Sequence, residues 1–341
     1  MKKPTIGVIG AGAWGTALSL LLAENNYELD LWVREAELCD IMEKKRENTL
    51  FLPGFPLPRN IRPLSSLEKA AAGKSVLFMV TPTHALRQTA EKLAPHLEPN
   101  CLIVNASKGI EHGSLSMART ILKETVKTPC RTGSISGPTF ALEIAKRVPS
   151  ALVAAASDLE TAARIQEILS GATLKVFTST DVTGVELGGA LKNVIAIATG
   201  VADGLGLGFN TRAALITRGL VEMTRIGTTL GARPETFSGL SGLGDLVLTC
   251  TGDLSRNRTV GLKLGRGDKL RDITQNMNVV AEGLHTVKAA HDLKNQLNIQ
   301  ASIIDETYKV LYEEKPARQA LADLLKVEIS TEFEGIKGLH Q

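Results

Sequence analysis

The sequence predicts an α/β domain built on a mostly parallel sheet, followed by an all-α domain. Three observations predict it. The N-terminus reads as strand, glycine turn and helix; short apolar runs then alternate with helical stretches up to about residue 185; beyond that point long helical stretches take over with no convincing strand. A chain of 341 residues suits about two domains.

Residues 5–9 (Thr-Ile-Gly-Val-Ile) are a short β-rich run. Gly10, Gly12 and Gly15 follow, and Thr16 to Glu24 is rich in Ala and Leu, as a helix would be. Glu28 to Val33 alternates polar and apolar residues, the pattern of a second strand. All of this fits the span of one βαβ unit. The alternation continues with a buried-strand pattern at Ser75–Thr81 closed by Pro82, a helix over 84–94, a strand at Cys101–Asn105 and a helix over 113–126. Gly133–Ser136 leads into Gly137-Pro138, and Ala151–Ala156 is one more apolar run. Strands alternating with helices imply a sheet covered on both faces. Helices are expected over 186–202, 211–230, 283–296 and 301–313. The boundary is placed near 185–190, giving domains of residues 1–188 and 189–341. The polar end from Thr331 to Gln341 is expected to be loosely held.

Composition excludes several classes. The net charge is only +3 and the basic residues are scattered, which argues against nucleic acid as a partner. Aromatics make up 4%, too few for a base-stacking surface. Cys39, Cys101, Cys130 and Cys250 form no CxxC pair, and His84, His112 and His285 lack ligand spacing, so no metal site is expected. Reduced thiols and a cytoplasmic location are the simple reading. No run of 18 uncharged apolar residues occurs, so no membrane span is expected. The basic start Met1-Lys2-Lys3 precedes a glycine-punctuated stretch that continues into a helix bearing Glu24, which reads as mature protein.

Gly10-Ala11-Gly12-Ala13-Trp14-Gly15 is a GxGxxG turn between a strand and a helix. The first glycine permits the tight turn, the second lets backbone approach a pyrophosphate, and the third lets helix and strand pack closely. The helix amides then face the phosphates, so NAD or NADP is the expected cofactor. Arg34 lies 19 residues beyond Gly15, where NAD enzymes usually carry an acidic residue for the ribose. Its guanidinium suits a 2′-phosphate; a solvated surface arginine is the other reading, and cofactor preference stays open. Farther on, Lys192 is the only charge in the stretch from Leu187 to Ala202. A lone helix lysine commonly snorkels to water. Here Asn193 beside it, and Gly188-Gly189 leaving room for a ligand one turn earlier, point to a desolvated amine of lowered pKa able to exchange protons with a hydroxyl or carbonyl.

Several segments together resemble one family. GAGAWGTALS at 10–19, NASKGIE at 105–111, SGPTFA at 136–141, ELGGALKNVIAIATG at 186–200, GLSGLGDLVLTCTGDLSRNR at 239–258 and VAEG at 280–283 are similar to bacterial-type NAD(P)-dependent glycerol-3-phosphate dehydrogenases, in the same order. The resemblance implies an α/β Rossmann-type dinucleotide-binding domain followed by an all-α C-terminal domain. It implies reversible hydride transfer between NAD(P)H and dihydroxyacetone phosphate, giving sn-glycerol 3-phosphate for the glycerophospholipid backbone, and a homodimer. It places the acid/base lysine at Lys192 and a second catalytic lysine, touching substrate and cofactor, at Lys108. Substrate contacts fall on Gly137, Thr139, Asp245, Ser255, Arg256 and Asn257. Cofactor contacts fall on Ala13, Trp14, Ala141, Arg256, Val280 and Glu282; a further family contact near residue 51 would fall on Phe51 and is not assigned. By residue type alone, Asp245 after glycines also suits a turn or helix cap, Thr139 a helix cap, and Ser255-Arg256-Asn257 a polar loop. The chemistry fits a phosphorylated small molecule: Arg256 offers a fork of donors to a phosphate, and Lys108 would help poise Lys192. Two alternatives compete. A dehydrogenase of another small hydroxy acid has no need of the Ser-Arg-Asn clamp, and a non-catalytic NAD(P)H sensor has no need of the polar cleft residues.

Overall fold

The computed structural model describes residues 3–275, 277, 281–326 and 331–338. It divides into two compact units, Met1–Ser107 with Ala118–Val182 and Lys108–Met117 with Thr183–Gln341.

The first unit is built on eight strands: β1 (Ile6–Ile9), β2 (Leu29–Trp32), β3 (Ile61–Leu64), β4 (Val76–Met79), β5 (Leu102–Asn105), β6 (Arg131–Ser136), β7 (Ser150–Ala156) and β8 (Leu174–Ser179). Their order is β3-β2-β1-β4-β5-β6-β7-β8, parallel throughout except between β6 and β7. β1, β4 and β5 are buried along their whole length, because helices cover both faces. Side chains alternate between two cores: Val76 and Phe78 of β4 join one, Leu77 and Met79 the other. The order reverses between β1 and β4. In such sheets a crevice opens at that point, outside the carboxyl ends of the strands, where dinucleotides bind.

Two strands escaped the sequence reading. β3 carries Pro63, which cannot donate to a ladder and is tolerated because β3 is an edge strand. β8 is the other edge, with half-exposed alternation in place of a continuous apolar run. The helix expected over 113–126 spans only Ala118–Thr125, because Gly113 and Leu115 adopt left-handed backbone conformations and break the run before it. The segment Lys108–Met117 instead folds into the second unit.

Among its described residues the second unit contains helices and no strand. Its central helix, Val182–Gly204, is long and apolar enough to cross a membrane, but 89% of its most apolar window is buried in the protein, as a core helix is. It packs on the helix Arg256–Gly265 backbone to backbone. A Cβ on Gly200 would lie 2.2 Å from the Arg258 carbonyl oxygen, and one on Gly261 would lie 2.0 Å from that of Ile197. Gly188 was expected to make room for a ligand. It accommodates protein instead, since a Cβ there would lie 2.5 Å from the Ser241 carbonyl oxygen. The C-terminal stretch is also less free than expected. Arg218 and Arg225 donate to the carbonyls of Glu332 and Glu334; residues 339–341 lie outside the described residues.

Candidate active site

In the first unit, the three glycines of the N-terminal turn play three distinct structural parts. Gly10 follows β1 at φ +123°, and a Cβ there would lie 2.7 Å from the Val80 carbonyl oxygen. A Cβ on Gly15 would lie 1.8 Å from the Gly10 carbonyl oxygen, so helix and turn pack too closely for any side chain. A Cβ on Gly12 meets nothing within 4 Å, so the absence of a side chain serves no internal packing there. Gly12 is also the N-cap of the helix Ala13–Glu24, with no side-chain cap and no acidic residue in the first turn. The first amides of that helix therefore remain available to an anion.

Four polar atoms support a cofactor fit. Among the described residues, and apart from the Thr161 hydroxyl in the helix after β7, the buried side-chain polar atoms without a hydrogen-bond partner are the indole Nε1 of Trp14 and the hydroxyls of Thr81, Thr83 and Ser136. Trp14 is in the turn helix, the threonines follow β4, and Ser136 ends β6. All lie toward the carboxyl ends of the strands, and buried orphans of this kind call for a ligand or water. Ala13 opens the turn helix, and Ala141 opens the helix Ala141–Ala145, which packs against it. Thr139 caps nothing; its hydroxyl donates to the Gly137 carbonyl at 3.1 Å. Arg34 lies two residues past β2, 72% exposed, and among the described residues pairs with the adjacent Glu35 alone.

The second unit holds a buried charge cluster. Lys192, 7% exposed, donates from Nζ to Asp245 Oδ1 and to Thr249 Oγ1, both at 2.7 Å. Lys108 Nζ donates to Asp245 Oδ2 at 2.7 Å, so each carboxylate oxygen holds one ammonium group. Asp245 opens the helix Asp245–Thr251 and Thr249 follows one turn later, on the same face. The Thr249 hydroxyl donates to the Asp245 carbonyl oxygen at 2.6 Å, which leaves its lone pairs to accept from Lys192. Burial drops the pKa of Lys192 from an ordinary 10.5 to about 8; Asp245 opposes the drop and the Lys108 charge adds to it. Burial would raise Asp245, but the two ammonium groups outweigh it and hold the carboxyl below the usual range. Cys250 is inert beside them, because burial pushes its thiol up to about 12.

Asparagines tie this cluster to the Ser255–Asn257 segment. Asn257 Nδ2 donates to Asn193 Oδ1 at 2.8 Å, and Asn257 Oδ1 accepts from the Gly283 amide at 3.0 Å. Ser255 caps the helix Arg256–Gly265 by accepting from the Arg258 amide, so the trio opens a helix and is not an irregular loop. Arg258 anchors that helix start on Asp203 at 2.8 Å and Asp253 at 3.0 Å. The exposed Arg256 guanidinium makes no hydrogen bond or ion pair with the described residues. Its pKa is pulled down by partial desolvation, with Glu282 opposing. Glu282 opens the helix Glu282–Gln296; Val280 lies outside the described residues. Thr249 and Asn193 were not singled out as site residues from sequence. The signal for Thr249 was its spacing of four from Asp245.

A family model described as the NAD-dependent glycerol-3-phosphate dehydrogenase N-terminus matches residues 5–162, and the C-terminus model of the same family matches residues 181–322. The chain belongs to this family. A glycerol-3-phosphate dehydrogenase (NAD(P)+) of Geobacter metallireducens is 53% identical over 323 residues, 94% of this chain and 96% of the relative. Its counterpart in Geobacter sulfurreducens is 51% identical, covering 96% of this chain and 98% of the relative. A crystal structure of glycerol-3-phosphate dehydrogenase from Coxiella burnetii superposes with a TM-score of 0.92 at 36% identity, over 95% of this chain and 99% of that one. The glycine turn, the lysine pair with Asp245 and the Arg256 helix thus occur in a chain that matches the family along nearly its whole length.

Proposed function

We propose that this chain catalyses the reversible, NAD(P)-dependent reduction of dihydroxyacetone phosphate to sn-glycerol 3-phosphate, supplying the glycerophospholipid backbone. The observation that carries the reading is Lys192. An ammonium group has three protons; Asp245 and Thr249 engage two of them, which leaves one for a substrate oxygen. When bound, the nicotinamide supplies or accepts the hydride at C2. In reduction, Lys192 gives its remaining proton to the C2 oxygen as that oxygen becomes an alkoxide. In oxidation, the neutral amine takes the proton back, with Asp245 and Thr249 still fixing the lone pair's direction. Lys108 adds positive charge where the alkoxide develops. Arg256 supplies the fork of donors for the phosphate. Ser255 and Asn257 hold that helix start in place while keeping one donor each for substrate. By the family resemblance, Gly137 and Thr139 are further substrate contacts.

For the cofactor, the Gly12 backbone and the helix amides behind it take the pyrophosphate, with Ala13, Trp14, Ala141, Val280 and Glu282 as further contacts. An exposed arginine–glutamate pair is weak, so Arg34 can leave Glu35 for a 2′-phosphate; the ratio of NADPH to NADH efficiency in Arg34→Ala tests this. The four free thiols support a cytoplasmic location. Apolar side chains exposed on the helical unit, such as Phe209 at 79%, support a homodimer, which light scattering in solution checks.

The deciding assay follows NADPH oxidation with dihydroxyacetone phosphate beside unphosphorylated dihydroxyacetone. Turnover of the phosphorylated ketone alone is expected. Equal rates on both would overturn the phosphate clamp, and NADPH binding without turnover would favour a sensor. Arg256→Ala is expected to raise KM for dihydroxyacetone phosphate by about 10- to 150-fold, the loss of a charge-assisted hydrogen bond worth roughly 1.5–3 kcal/mol. Its cofactor KM should rise less; an unchanged substrate KM contradicts the assignment. Gly12→Ala is expected to leave the thermal midpoint within a few degrees, since a Cβ there meets only open space. NADPH affinity should fall by about tenfold or more as the methyl holds the phosphates off the backbone amides. A folded variant with normal affinity would remove the pyrophosphate from this turn.

A further inference from the structure

Residues 46–60 connect the helix Ala36–Lys45 to β3, and this connection is tightly built. The Arg46 guanidinium donates to the carbonyls of Leu57, Pro58 and Ile61, and the Gly54 amide donates to Glu47 Oε1 at 2.8 Å. A bridge joins Glu47 to Pro56. The loop delivers Asn48, fully buried, to the glycine turn. Asn48 Nδ2 donates to the Ala11 carbonyl oxygen and to Thr16 Oγ1, both at 2.8 Å, while its Oδ1 accepts from the Phe51 amide at 3.0 Å. Both amide protons are used, and neither serves Asn48's own loop.

The consequence follows from peptide geometry. The Ala11–Gly12 peptide is planar and trans, so its N–H points opposite to its C=O. A donor that fixes the Ala11 carbonyl therefore fixes the direction of the Gly12 amide. That amide donates to no described residue, and Gly12 is the glycine whose missing side chain leaves open space. The second bond, to Thr16, ties the first turn of the helix to the same anchor. We infer that Asn48 is a positioning residue for the dinucleotide: it aims the Gly12 amide and the helix start at the pyrophosphate without touching the cofactor itself. This rests on the dinucleotide reading of the turn. It also gives the 46–60 loop a purpose that no motif in the sequence discloses.

The test is titration of the full-length protein with NADPH, read by nucleotide fluorescence, together with steady-state kinetics. Asn48→Ala is expected to raise the NADPH Kd by about tenfold or more, because the Ala11 carbonyl loses its 2.8 Å buried bond and keeps the longer one, 3.4 Å, from the Thr16 hydroxyl. At saturating NADPH, kcat and the KM for dihydroxyacetone phosphate should stay within about twofold of the parent. The pH dependence of turnover should stay that of the parent, because the lysine cluster is untouched. Asn48→Asp separates the two halves of the side chain. It keeps an acceptor for the Phe51 amide but presents no donor to Ala11, so it should bind NADPH no better than the alanine variant. Should Asn48→Ala fold poorly, Thr16→Val removes one of the two anchored acceptors and is expected to raise Kd a few-fold. Variants that lose thermal stability but bind NADPH with the parent's Kd would overturn the inference and leave Asn48 a structural brace. If the parent protein itself binds no NADPH, the dinucleotide reading falls first and takes this inference with it.

Discussion

Replacing Lys192 with alanine is expected to lower kcat by roughly 10²- to 10⁴-fold, the usual cost of removing a positioned general acid/base, while NADPH should still bind. The size follows from what remains. Asp245 keeps its ion pair with Lys108 and cannot supply a proton, because its carboxyl is held ionised. Thr249 keeps its bond to the Asp245 carbonyl. Water entering the vacated space and the Lys108 ammonium, held on the other carboxylate oxygen of Asp245, would be the remaining proton sources, and neither sits where the Lys192 amine did. The same assignment fixes the pH profile. Reduction needs protonated Lys192, so its kcat/KM should be flat below about pH 8 and fall above it. Oxidation needs the neutral amine, so its kcat/KM should rise up to about pH 8 and then level. Profiles in opposite directions sharing one midpoint are the signature of a single amine serving both directions. Near-normal turnover by the alanine variant, or a midpoint unmoved by any change at the cluster, would remove Lys192 from the chemistry.

Much of this was readable in the sequence, and the exceptions have physical causes. The glycine turn is legible because each glycine answers a local steric demand: Gly10 needs its left-handed backbone, and Gly15 needs to meet the Gly10 carbonyl. The central helix is legible because Lys192 is a lone charge in an apolar run. Gly188 misled for the opposite reason: a glycine that admits a neighbouring backbone and one that admits a ligand look alike until the neighbour is seen. β3 was hidden by Pro63, which only the strand's edge position permits. Lys108 sits in a segment that leaves one unit for the other, and its approach to Asp245 spans 137 residues of sequence, which periodicity cannot register. Asn48 was invisible because its partners are a carbonyl and a hydroxyl 37 and 32 residues away. Local patterns thus disclosed most of the elements and singled out the glycine turn and Lys192, the resemblance pointed to Lys108, Asp245 and Arg256, and the bonds that join these side chains are long-range and carry no local signature.

Asp245→Asn should destabilise the fold at neutral pH by about 3–5 kcal/mol, the cost of leaving a buried charge without its partner, and should move the activity midpoint below 8. Asp245 is an anion bonded to both lysines. Asparagine keeps the shape and one acceptor oxygen but removes the charge. Lys192 then retains the burial and the Lys108 repulsion that lower its pKa and loses the attraction that opposed them. The signs follow by linkage. The carboxyl of Asp245 is depressed in the fold, so its ionised form contributes stability that is present above the ordinary carboxylate value of 3.8 and is lost as pH falls through the folded value. The amine of Lys192 is depressed too, so its charge costs stability at neutral pH, and that cost relaxes as pH climbs from about 8 toward 10.5. The variant's deficit against the parent should therefore appear in urea unfolding at pH 7 and shrink at low pH, where the parent's carboxyl is itself protonated. Reduction by the variant should fall off at a lower pH than in the parent, because less of the amine is protonated at any given pH. An asparagine variant with the parent's stability and the parent's midpoint would mean that Asp245 neither neutralises the lysines nor poises Lys192, and the acid/base assignment would lose its electrostatic basis.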